Sequence, residues 1–562
     1  MCGFTGILSL NNEHNKYNSI WLDVASNLIA HRGPDSGGSY NDGPFKIAAR
    51  RLKIHDLSES ADQPFVDIRD RYVLCYNGSI FNYKDLRKQL ISLNYRFNTE
   101  SDTEVVLYSL IEWGKAALEK FNGMFTLCFY DKITKNIILA RDKLGIKPLY
   151  YYIDSKNIIF SSEIKPILMH KSVKREVNKD AVPELFSFQT IMPPQTLFKN
   201  IYNLLPGKGI EINKDRVRKE FTYWDIISLI DNENLKYMNI EDSLNLSLTR
   251  CWDADRNIGI QLSGGVDSSL ITAISHDELN IRNIDTYSVI FDDSKIKYYL
   301  PRSEESYINT VSKQFNTNSN LYTFNNNQIM SALAESIWHH ELPIFGASTC
   351  LYLLLSREIK KHTTVIMTGE GADDIFLGYF SNKKLSNNQS FFKTFCDNNT
   401  VLKNFGTNGL ESALSSRLDL LNSSKYSKLS NINKTTILTI KAYLHGLLAR
   451  HDRMFMANGM EGRLPFCTDE MLLNRFSLND DEIHNKNDGK VIIKKYAEKY
   501  FKSEFVYRKK IGFSSPFGDW CADKNIWRGY YDNLSLEFVS EYGNADVIRD
   551  HNKLKENKEK WS

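Results

Sequence analysis

A glycine- and hydroxyl-rich turn contains the residues best suited to chemistry: Ser263, Gly264, Gly265, Val266, Asp267, Ser268 and Ser269. The apolar run 258–262 before it is typical of a buried strand, and residues 270–274 can continue as a helix. Such a turn directs backbone N–H groups and the positive end of a helix dipole at one point, where phosphate binds well. Because the turn lacks the Gly-Lys-Ser/Thr ending of a Walker A loop, it predicts a pyrophosphate cradle, with Asp267 available to hold magnesium.

Three carboxylates lie within five positions after another short apolar run, at Glu370, Asp373 and Asp374. In parallel sheets, ligands bind beyond the carboxyl ends of the strands, where the Ser263 turn also lies. Carboxylates beside a phosphate cradle suit hard-cation binding and acid–base chemistry. Alone, the same residues would fit the acidic first turn of an ordinary helix equally well.

Cys2 is the third candidate. Initiator methionine is usually removed before a small residue, and Cys2 would then carry both a thiol and the free α-amine. That amine has an ordinary pKa of about 7.7–8.0, so part of it is neutral at pH 7 and can accept the thiol proton. Position alone does not distinguish this nucleophile from a cysteine without a catalytic role.

Polar motifs beside apolar strands accompany Cys2, at residues 31–35, 51–54, 77–82, 101–104, 122–125 and 141–150. Together with residues 1–7, this set resembles the N-terminal-nucleophile glutaminase domain of the class II glutamine amidotransferases. The Ser263 turn and the acidic group at 370–374 extend the resemblance to the glutamine-dependent asparagine synthetase family. The motifs follow the family order over nearly the whole chain.

The resemblance implies roles in the first site. Cys2 would attack the side-chain amide of glutamine, and Asn77 with the Gly78 N–H would form the oxyanion hole, which stabilises a tetrahedral intermediate. The implied glutamine-binding residues are Arg51, Asn77 and Asp102. Arg51 would bind the α-carboxylate by a bidentate pair, and Asp102 would bind the α-ammonium.

Ser79 departs from the family, which usually has glutamate there facing the same α-ammonium. A lost charge-assisted hydrogen bond costs about 1.5–3 kcal/mol, so we expect weaker glutamine binding. The departure also leaves open a synthetase with a degenerate glutaminase domain that uses ammonia or an internal amine. Retention of Cys2, Asn77, Gly78 and Asp102 argues against that alternative.

For the second site the resemblance implies ATP and Mg²⁺ as cofactors, with magnesium on Asp267 and Asp373. Glu370 would orient or deprotonate ammonia, and Lys510 would stabilise the adenylation transition state. Residues 452–466 resemble the helix and turn that line the nucleotide site and the ammonia passage. The implied ATP-binding residues are Leu262, Ser263, Gly264, Gly265, Asp267, Ser268, Ser269, Val289 and Gly369.

Two domains are expected, 1–210 and 211–562. Short strands at 47–54, 72–76, 125–130, 136–140, 149–153 and 158–160, with helices at 20–29 and 101–121, predict stacked antiparallel sheets in the first. The resemblance makes this an αββα N-terminal-nucleophile hydrolase sandwich. In the second, strands at 258–262, 286–291 and 364–367 alternate with helical stretches, which predicts a doubly wound parallel sheet of the ATP-pyrophosphatase type.

Composition narrows the class of partner. The chain of 562 residues has 71 basic and 68 acidic residues, a net charge of +3, and no long block of one sign. Nucleic acid and membrane are therefore not expected as partners, and no apolar run approaches the ~18 residues that span a bilayer. Eight scattered cysteines without metal-type spacing predict reduced thiols in a cytoplasmic protein. A homodimer stays open.

The expected function is a glutamine-hydrolysing, ATP-dependent amide synthetase acting on small molecules. Glutamine-derived ammonia would attack an acyl-adenylate, with aspartate as the first choice of acid and asparagine as product. Alternatives with the same chemistry amidate a sugar uronic acid, a cell-wall precursor or a natural-product acid. A catalytically idle nucleotide-binding protein is the alternative from another class.

The Asn- and Ser-rich stretch 385–433 is compatible with a helical insertion or a lid.

Overall fold

The computed structural model describes residues 2–10, 16–230, 238–291, 304–343, 348–379, 417, 419–421, 426–485 and 488–508. Lys510, to which the resemblance gives a catalytic role, lies outside these residues, as does most of 385–433.

The N-terminal part contains twelve strands among its described residues: β1 Cys2–Ser9, β2 Ser36–Asp42, β3 Phe45–Arg51, β4 Phe65–Val66, β5 Tyr72–Ile80, β6 Gly123–Asp131, β7 Asn136–Arg141, β8 Tyr150–Ile153, β9 Asn157–Ser161, β10 Ile201–Asn203, β11 Lys208–Ile212 and β12 Arg218–Thr222. Its α-helices are α1 Lys16–Leu28, α2 Tyr83–Ser92, α3 Asp102–Trp113, α4 Ala117–Lys120, α5 Ile164–Leu168 and α6 Val182–Phe188.

These strands form two antiparallel six-stranded sheets, in the orders β10-β8-β9-β1-β3-β2 and β12-β11-β7-β6-β5-β4. Apolar side chains from both sheets share one core between them, including Phe4, Ile47, Val73 and Ile137. Helices α1 and α5 cover the outer face of the first sheet, and α2 and α3 cover that of the second. The predicted αββα sandwich is confirmed.

Some helices differ from the sequence prediction. Helix α2 was not expected, because only Leu86 and Leu90 form a clear apolar stripe among its charged residues. The single helix expected over 101–121 divides at Gly114, whose φ of +57° ends α3. Local chain geometry at one glycine therefore breaks an otherwise continuous helical pattern.

The C-terminal part has a second kind of sheet. Its strands are β13 Ile258–Gln261, β14 Asp285–Val289, β15 Asn318–Tyr322, β16 Val365–Met367 and β17 Glu461–Arg463. Its α-helices are α7 Ile240–Cys251, α8 Val266–Asp277, α9 Glu305–Gln314, α10 Asn326–His340, α11 Ser348–Ile359, α12 Ala372–Ile375, α13 Asn431–Thr439, α14 His445–Met456, α15 Asp469–Ser477, α16 Asp480–Ile483, α17 Val491–Ala497 and α18 Ser503–Val506.

All pairings in this sheet are parallel, in the order β15-β14-β13-β16-β17. Helices α7 and α8 pack on one face, and α10, α11 and α14 pack on the other, which confirms the doubly wound prediction. The chain leaves β13 toward β14 on one side and returns to β16 on the other. This reversal of strand order is the place where open parallel sheets bind ligands.

The strands of the first domain continue beyond residue 210. β11 pairs with β7, and β12 pairs with β11, so both extend the second antiparallel sheet to Thr222. Helix α7 of the parallel-sheet domain begins at Ile240. We therefore propose that the division between the domains lies between residues 222 and 240.

Candidate active sites

Cys2 begins the central strand β1 and lies opposite Arg51 of β3. Its thiol is buried at 4% exposure and accepts a hydrogen bond from Gln63 Nε2 at 3.4 Å. Burial raises the pKa of the thiol above its ordinary value, against the lowering effect of the nearby Arg51 guanidinium. The thiol is therefore protonated at neutral pH and needs a base to become a nucleophile.

Asn77 on β5 is fixed beside Cys2. Its Oδ1 accepts a hydrogen bond from the Cys2 backbone N–H at 3.1 Å, which fixes the orientation of the amide. The buried Nδ2 has no hydrogen-bond partner among the described residues. A buried donor without a partner is unfavourable unless a ligand completes it, so this group can serve a substrate oxygen.

Gly78 has a packing reason to be glycine. A Cβ at this position would lie 2.2 Å from the carbonyl oxygen of Met124 on β6. Any other side chain would push β5 away from β6 and move the neighbouring Asn77. The Asn-Gly pair therefore combines a directed amide with a close approach of two strands.

Arg51 is already extensively bonded. Its Nη1 donates to Ser58 O at 2.8 Å and to Asp62 Oδ1 at 2.7 Å, and its Nη2 donates to the carbonyls of His55 and Asp56. Only Nε has no bond among the described residues. A bidentate grip on a substrate carboxylate by this guanidinium would need some of these contacts in the 55–62 turn to exchange.

Asp102 begins α3, and its Oδ2 accepts from Tyr76 O–H at 2.9 Å and from Ile80 N–H at 3.1 Å. Ser79 lies on the same face of β5 as Asn77, because side chains alternate along a strand. Its hydroxyl is buried without a hydrogen-bond partner among the described residues. Sequence reasoning missed Gln63 and Tyr76, since each is a single polar residue outside any motif.

The second site begins at the turn between β13 and α8. Ser268 Oγ accepts from Ser263 N–H at 3.1 Å and donates to Gly265 O at 3.3 Å, so this hydroxyl shapes the turn itself. Gly264 has a φ of +77°, a conformation that glycine adopts without strain. Arg508, for which no individual role was predicted, donates to the Gly264 carbonyl at 2.9 Å.

Glu370 follows β16 and faces the same crevice. Its Oε2 accepts from Tyr352 O–H at 2.9 Å, and its Oε1 accepts from Arg450 Nη2 at 3.3 Å. The Arg450 guanidinium also lies over the Tyr352 ring. Sequence reasoning identified Glu370 but missed both partners, which lie on α11 and α14 and belong to no recognisable motif.

Asp267 and Asp373 converge on one point. Both contact the amine of Lys490, at 2.7 and 2.8 Å for the Asp267 oxygens and 2.8 Å for Asp373 Oδ1. Two carboxylates that face one cation suit Mg²⁺, which in nucleotide sites is usually held by one or two carboxylates and substrate phosphates. The donor set therefore fits magnesium, with a lysine ammonium now at the shared point.

A cavity of about 250 Å³ joins these groups. Seven residues predicted for ATP, metal or catalysis line it: Ser263, Gly265, Asp267, Ser268, Gly369, Glu370 and Asp373. Four other residues predicted for ATP are not among its lining residues: Leu262, Gly264, Ser269 and Val289. A larger cavity of about 500 Å³, around Lys143 and Tyr223, contains no residue predicted for either site.

Two family profiles match the chain. The profile described as "Glutamine amidotransferase domain" matches residues 1–224, and "Asparagine synthase" matches residues 239–560. The chain belongs to the asparagine synthase family. It is thus an enzyme, a glutamine amidotransferase joined to an asparagine synthetase-like ligase, and membership of this family implies the use of ATP.

Relatives of this family are similar over most of the chain. "Asparagine synthetase [glutamine-hydrolyzing] 1" of Bacillus subtilis is 28% identical over 94% of this chain and 89% of its own length. Number 3 of the same organism is 27% identical over 91% and 86%. "Amidase chyE" of Penicillium rubens is 24% identical over 64% and 55%.

Among solved structures, glutamine phosphoribosylpyrophosphate amidotransferase from Bacillus subtilis is similar at 16% identity and a TM-score of 0.30. The similarity covers 54% of this chain and 70% of that one. In the part of the chain that the structure describes, no helix has the length and apolar character needed to cross a membrane.

In this member of the family, residues 452 and 453 contact the glutaminase domain. Asp452 on α14 accepts from Arg32 Nη2 at 2.8 Å and from Lys147 Nζ at 2.9 Å, and all three side chains are buried. Burial alone would raise the pKa of Asp452. The charges of Arg32 and Lys147 lower it by more, so the pKa lies below its ordinary value. Arg453 donates to Tyr150 O–H at 2.8 Å.

Proposed function

We propose that this enzyme hydrolyses glutamine at Cys2 and uses the ammonia to amidate a carboxylic acid that it activates as an acyl-adenylate. The observation that carries the proposal is the crevice at the reversal of strand order. There the Ser263–Ser268 turn faces Glu370 across one cavity. A turn suited to phosphate lies beside the carboxylate of Glu370. Adenylation requires a site for the phosphates, and amination requires a base such as this carboxylate.

In the glutaminase step, Cys2 Sγ attacks the side-chain carbon of glutamine. Because burial keeps the thiol protonated, a base must accept its proton, and the α-amine of Cys2 after removal of Met1 has a suitable pKa. Asn77 Nδ2 and the Gly78 N–H donate to the oxyanion, and the amine returns the proton to the departing ammonia. Water then hydrolyses the thioester to glutamate.

In the synthetase step, the 263–268 turn holds the β- and γ-phosphates of ATP. An oxygen of the substrate carboxylate attacks the α-phosphorus, and pyrophosphate leaves. Ammonia then attacks the acyl carbon, AMP departs, and Glu370 accepts the proton that ammonia loses. Arg450 and Tyr352 hold Glu370 in orientation for this transfer through their hydrogen bonds. Lys510 is the proposed cation at the adenylation transition state.

Magnesium on Asp267 and Asp373 would neutralise charge on the departing pyrophosphate. The same two carboxylates orient the start of α8 toward α12 through their shared contact with Lys490.

Aspartate is the first choice of acid. The names of the Bacillus subtilis relatives, asparagine synthetases, support it. A relative named as an amidase supports the alternative that the acid is a natural-product carboxylate. Pyrophosphate release measured with ATP, magnesium and a panel of acids separates the two. Stimulation by aspartate is expected, and release with another acid but not with aspartate would remove the first choice.

The direct test follows the nitrogen. The enzyme is incubated with amide-labelled glutamine, ATP, magnesium and the selected acid, and the product is identified by mass spectrometry. We expect one labelled nitrogen in the product amide, with labelling abolished by Cys2→Ala and amidation restored by added ammonium. Glutaminase turnover that survives Cys2→Ala, or adenylate formation that never occurs, would contradict the proposal.

A further inference from the structure

Lys490 is a buried lysine whose amine contacts both carboxylates proposed to bind magnesium. Its side chain is 5% exposed, and it stands 223 positions from Asp267 in the sequence. All three charged groups lie among the described residues of the parallel-sheet domain. The lysine therefore occupies the point at which a divalent cation would meet both acids.

The backbone around this contact is closely fitted. Lys490 has a φ of +54°, and its N–H donates to Phe376 O at 3.1 Å in the turn that follows Asp373. A Cβ at Gly378 would lie 1.9 Å from Asp373 Oδ1 and 2.8 Å from Lys490 Cε. The glycine leaves room for the lysine side chain and the carboxylate to meet, while the backbone hydrogen bond fixes where the lysine begins.

The charges explain why the contact is stable without metal. Without a cation between them, two buried carboxylates this close would repel each other and lack the solvation that ions require. The ammonium supplies that positive charge within the chain.

We propose that Lys490 is the resident counter-cation of the metal site, and that magnesium enters only with ATP, in exchange for the ammonium. This inference rests on the proposed function in taking Asp267 and Asp373 as the metal-binding pair. Free magnesium gains little at a pair that already holds a cation, because it must displace the bonded ammonium. Magnesium carried by a triphosphate brings its own anionic partner, which can receive the released lysine charge.

The test uses Lys490→Gln, which removes the charge and keeps a polar side chain that is one atom shorter. Thermal unfolding is followed without nucleotide, in EDTA and in millimolar magnesium chloride. Wild type is expected to show the same melting temperature in both. The variant should melt lower in EDTA by roughly 5 °C or more and regain most of that loss in magnesium, because the metal then supplies the positive charge that the lysine supplied.

Lys499→Gln is the matched control. Lys499 also joins two carboxylates, contacting Glu241 at 2.7 Å and Glu278 at 2.8 Å, but its side chain is 45% exposed. A small loss of stability is expected there, and magnesium should not restore it. A matched sodium chloride series at the same ionic strength accounts for general screening of charge.

Wild-type calorimetry keeps the proposal falsifiable if Lys490→Gln does not fold. Magnesium titrated into wild type alone should give no saturable heat, whereas saturable binding should appear with an ATP analogue that carries a methylene between its α- and β-phosphorus atoms. Saturable binding to the nucleotide-free wild type, or a folded Lys490→Gln that magnesium does not stabilise, would overturn the proposal. Neither measurement needs glutamine or an acceptor acid, so a failure here is separate from a failure to form an amide.

Discussion

At the residue scale, we propose that Asn77 contacts both the nucleophile Cys2 and the oxyanion of the reaction. One end of its amide is bonded to the Cys2 backbone, and the other end is a buried donor without a protein partner among the described residues. Such a donor stabilises charge that appears only in the transition state. Its removal should therefore affect the rate of the chemical step more than the binding of glutamine.

We predict that Asn77→Ala lowers kcat for glutamine hydrolysis by about 100-fold or more while changing KM little. Steady-state release of glutamate measures both constants, and ammonia-dependent synthesis serves as the control for an intact second site. A raised KM with unchanged kcat would show that Asn77 serves ground-state binding instead.

Ser79 offers a second prediction at the same scale. Within the described part of the chain its hydroxyl has no hydrogen-bond partner, and it shares a face of β5 with Asn77, where the family usually places a glutamate. Ser79→Glu should lower the KM for glutamine by about 10-fold or more, because a charge-assisted hydrogen bond to the α-ammonium contributes about 1.5–3 kcal/mol.

The matched control is Ser79→Gln, which has nearly the same shape and no charge. It should leave the KM for glutamine close to that of wild type. An unchanged KM in a folded Ser79→Glu variant would end the idea that Ser79 weakens glutamine binding. If Ser79→Gln and Ser79→Glu changed the KM for glutamine equally, packing rather than charge would be the cause.

At the element scale, the β13–α8 turn depends on one of two adjacent serines. Ser268 Oγ bonds to the backbone of Ser263 and Gly265, whereas Ser269 Oγ is buried and has no partner among the described residues. Ser268→Ala should raise the KM for ATP by about 10-fold, because each lost hydrogen bond costs about 1 kcal/mol.

Ser269→Ala, the neighbouring control, should leave the KM for ATP almost unchanged. Pyrophosphate release at varied ATP measures both variants. If the two serines behave alike, the turn is not shaped by the Ser268 hydroxyl. Thermal unfolding of each variant separates a local change in the turn from a general loss of stability.

Sequence patterns predicted the elements that carry the sites better than the contacts between them. The strand, glycine turn and helix around Ser263 follow from local apolar spacing, and Glu370 and Asp373 from three carboxylates after a strand. Lys490 could not be predicted in this way, because no local pattern relates it to Asp267. The burial of Ser269 could not be predicted from the sequence either, because the rotation of helix α8 decides which of the two adjacent serines faces the cavity.

At the scale of the whole molecule, a buried ion group joins the domains. Asp452 of the parallel-sheet domain lies between Arg32 and Lys147 of the glutaminase domain. Removing the central charge takes away the ion-pair partner of Lys147 and leaves Arg32 with Glu163 alone, and breaking such a buried pair costs about 3–5 kcal/mol. We predict that Asp452→Asn lowers the melting temperature at pH 7 and loosens contact between the domains. Differential scanning calorimetry measures the first, and protease sensitivity between residues 222 and 240 the second.

The pH dependence of this loss follows from the lowered pKa of Asp452. A carboxylate whose folded pKa lies below its unfolded value of about 3.9 stabilises the protein above that pH, and the contribution disappears as pH falls through the folded pKa. The difference in melting temperature between wild type and Asp452→Asn should therefore stay constant from neutral pH down to about 4 and narrow below it.

Asp253→Asn is the control for this comparison. Asp253 also pairs across the domains, with Lys84 at 2.8 Å, but the lysine side chain is 62% exposed. Its loss should cost at most about 1 kcal/mol. An equal loss at Asp253 and Asp452 would show that burial of the ion group does not set its strength.

The placement of Arg32, Lys147 and Asp452 also bears on how such enzymes can be recombined. In a chimaera, one domain comes from a relative. The contact between the domains is then mismatched unless the relative has the same three residue types, or unless the missing ones are introduced by mutation. Grafting a foreign glutaminase onto this ligase therefore requires a match at these three positions, among the other charged pairs that cross between the domains. The same three positions give a quick screen for which natural halves can be exchanged.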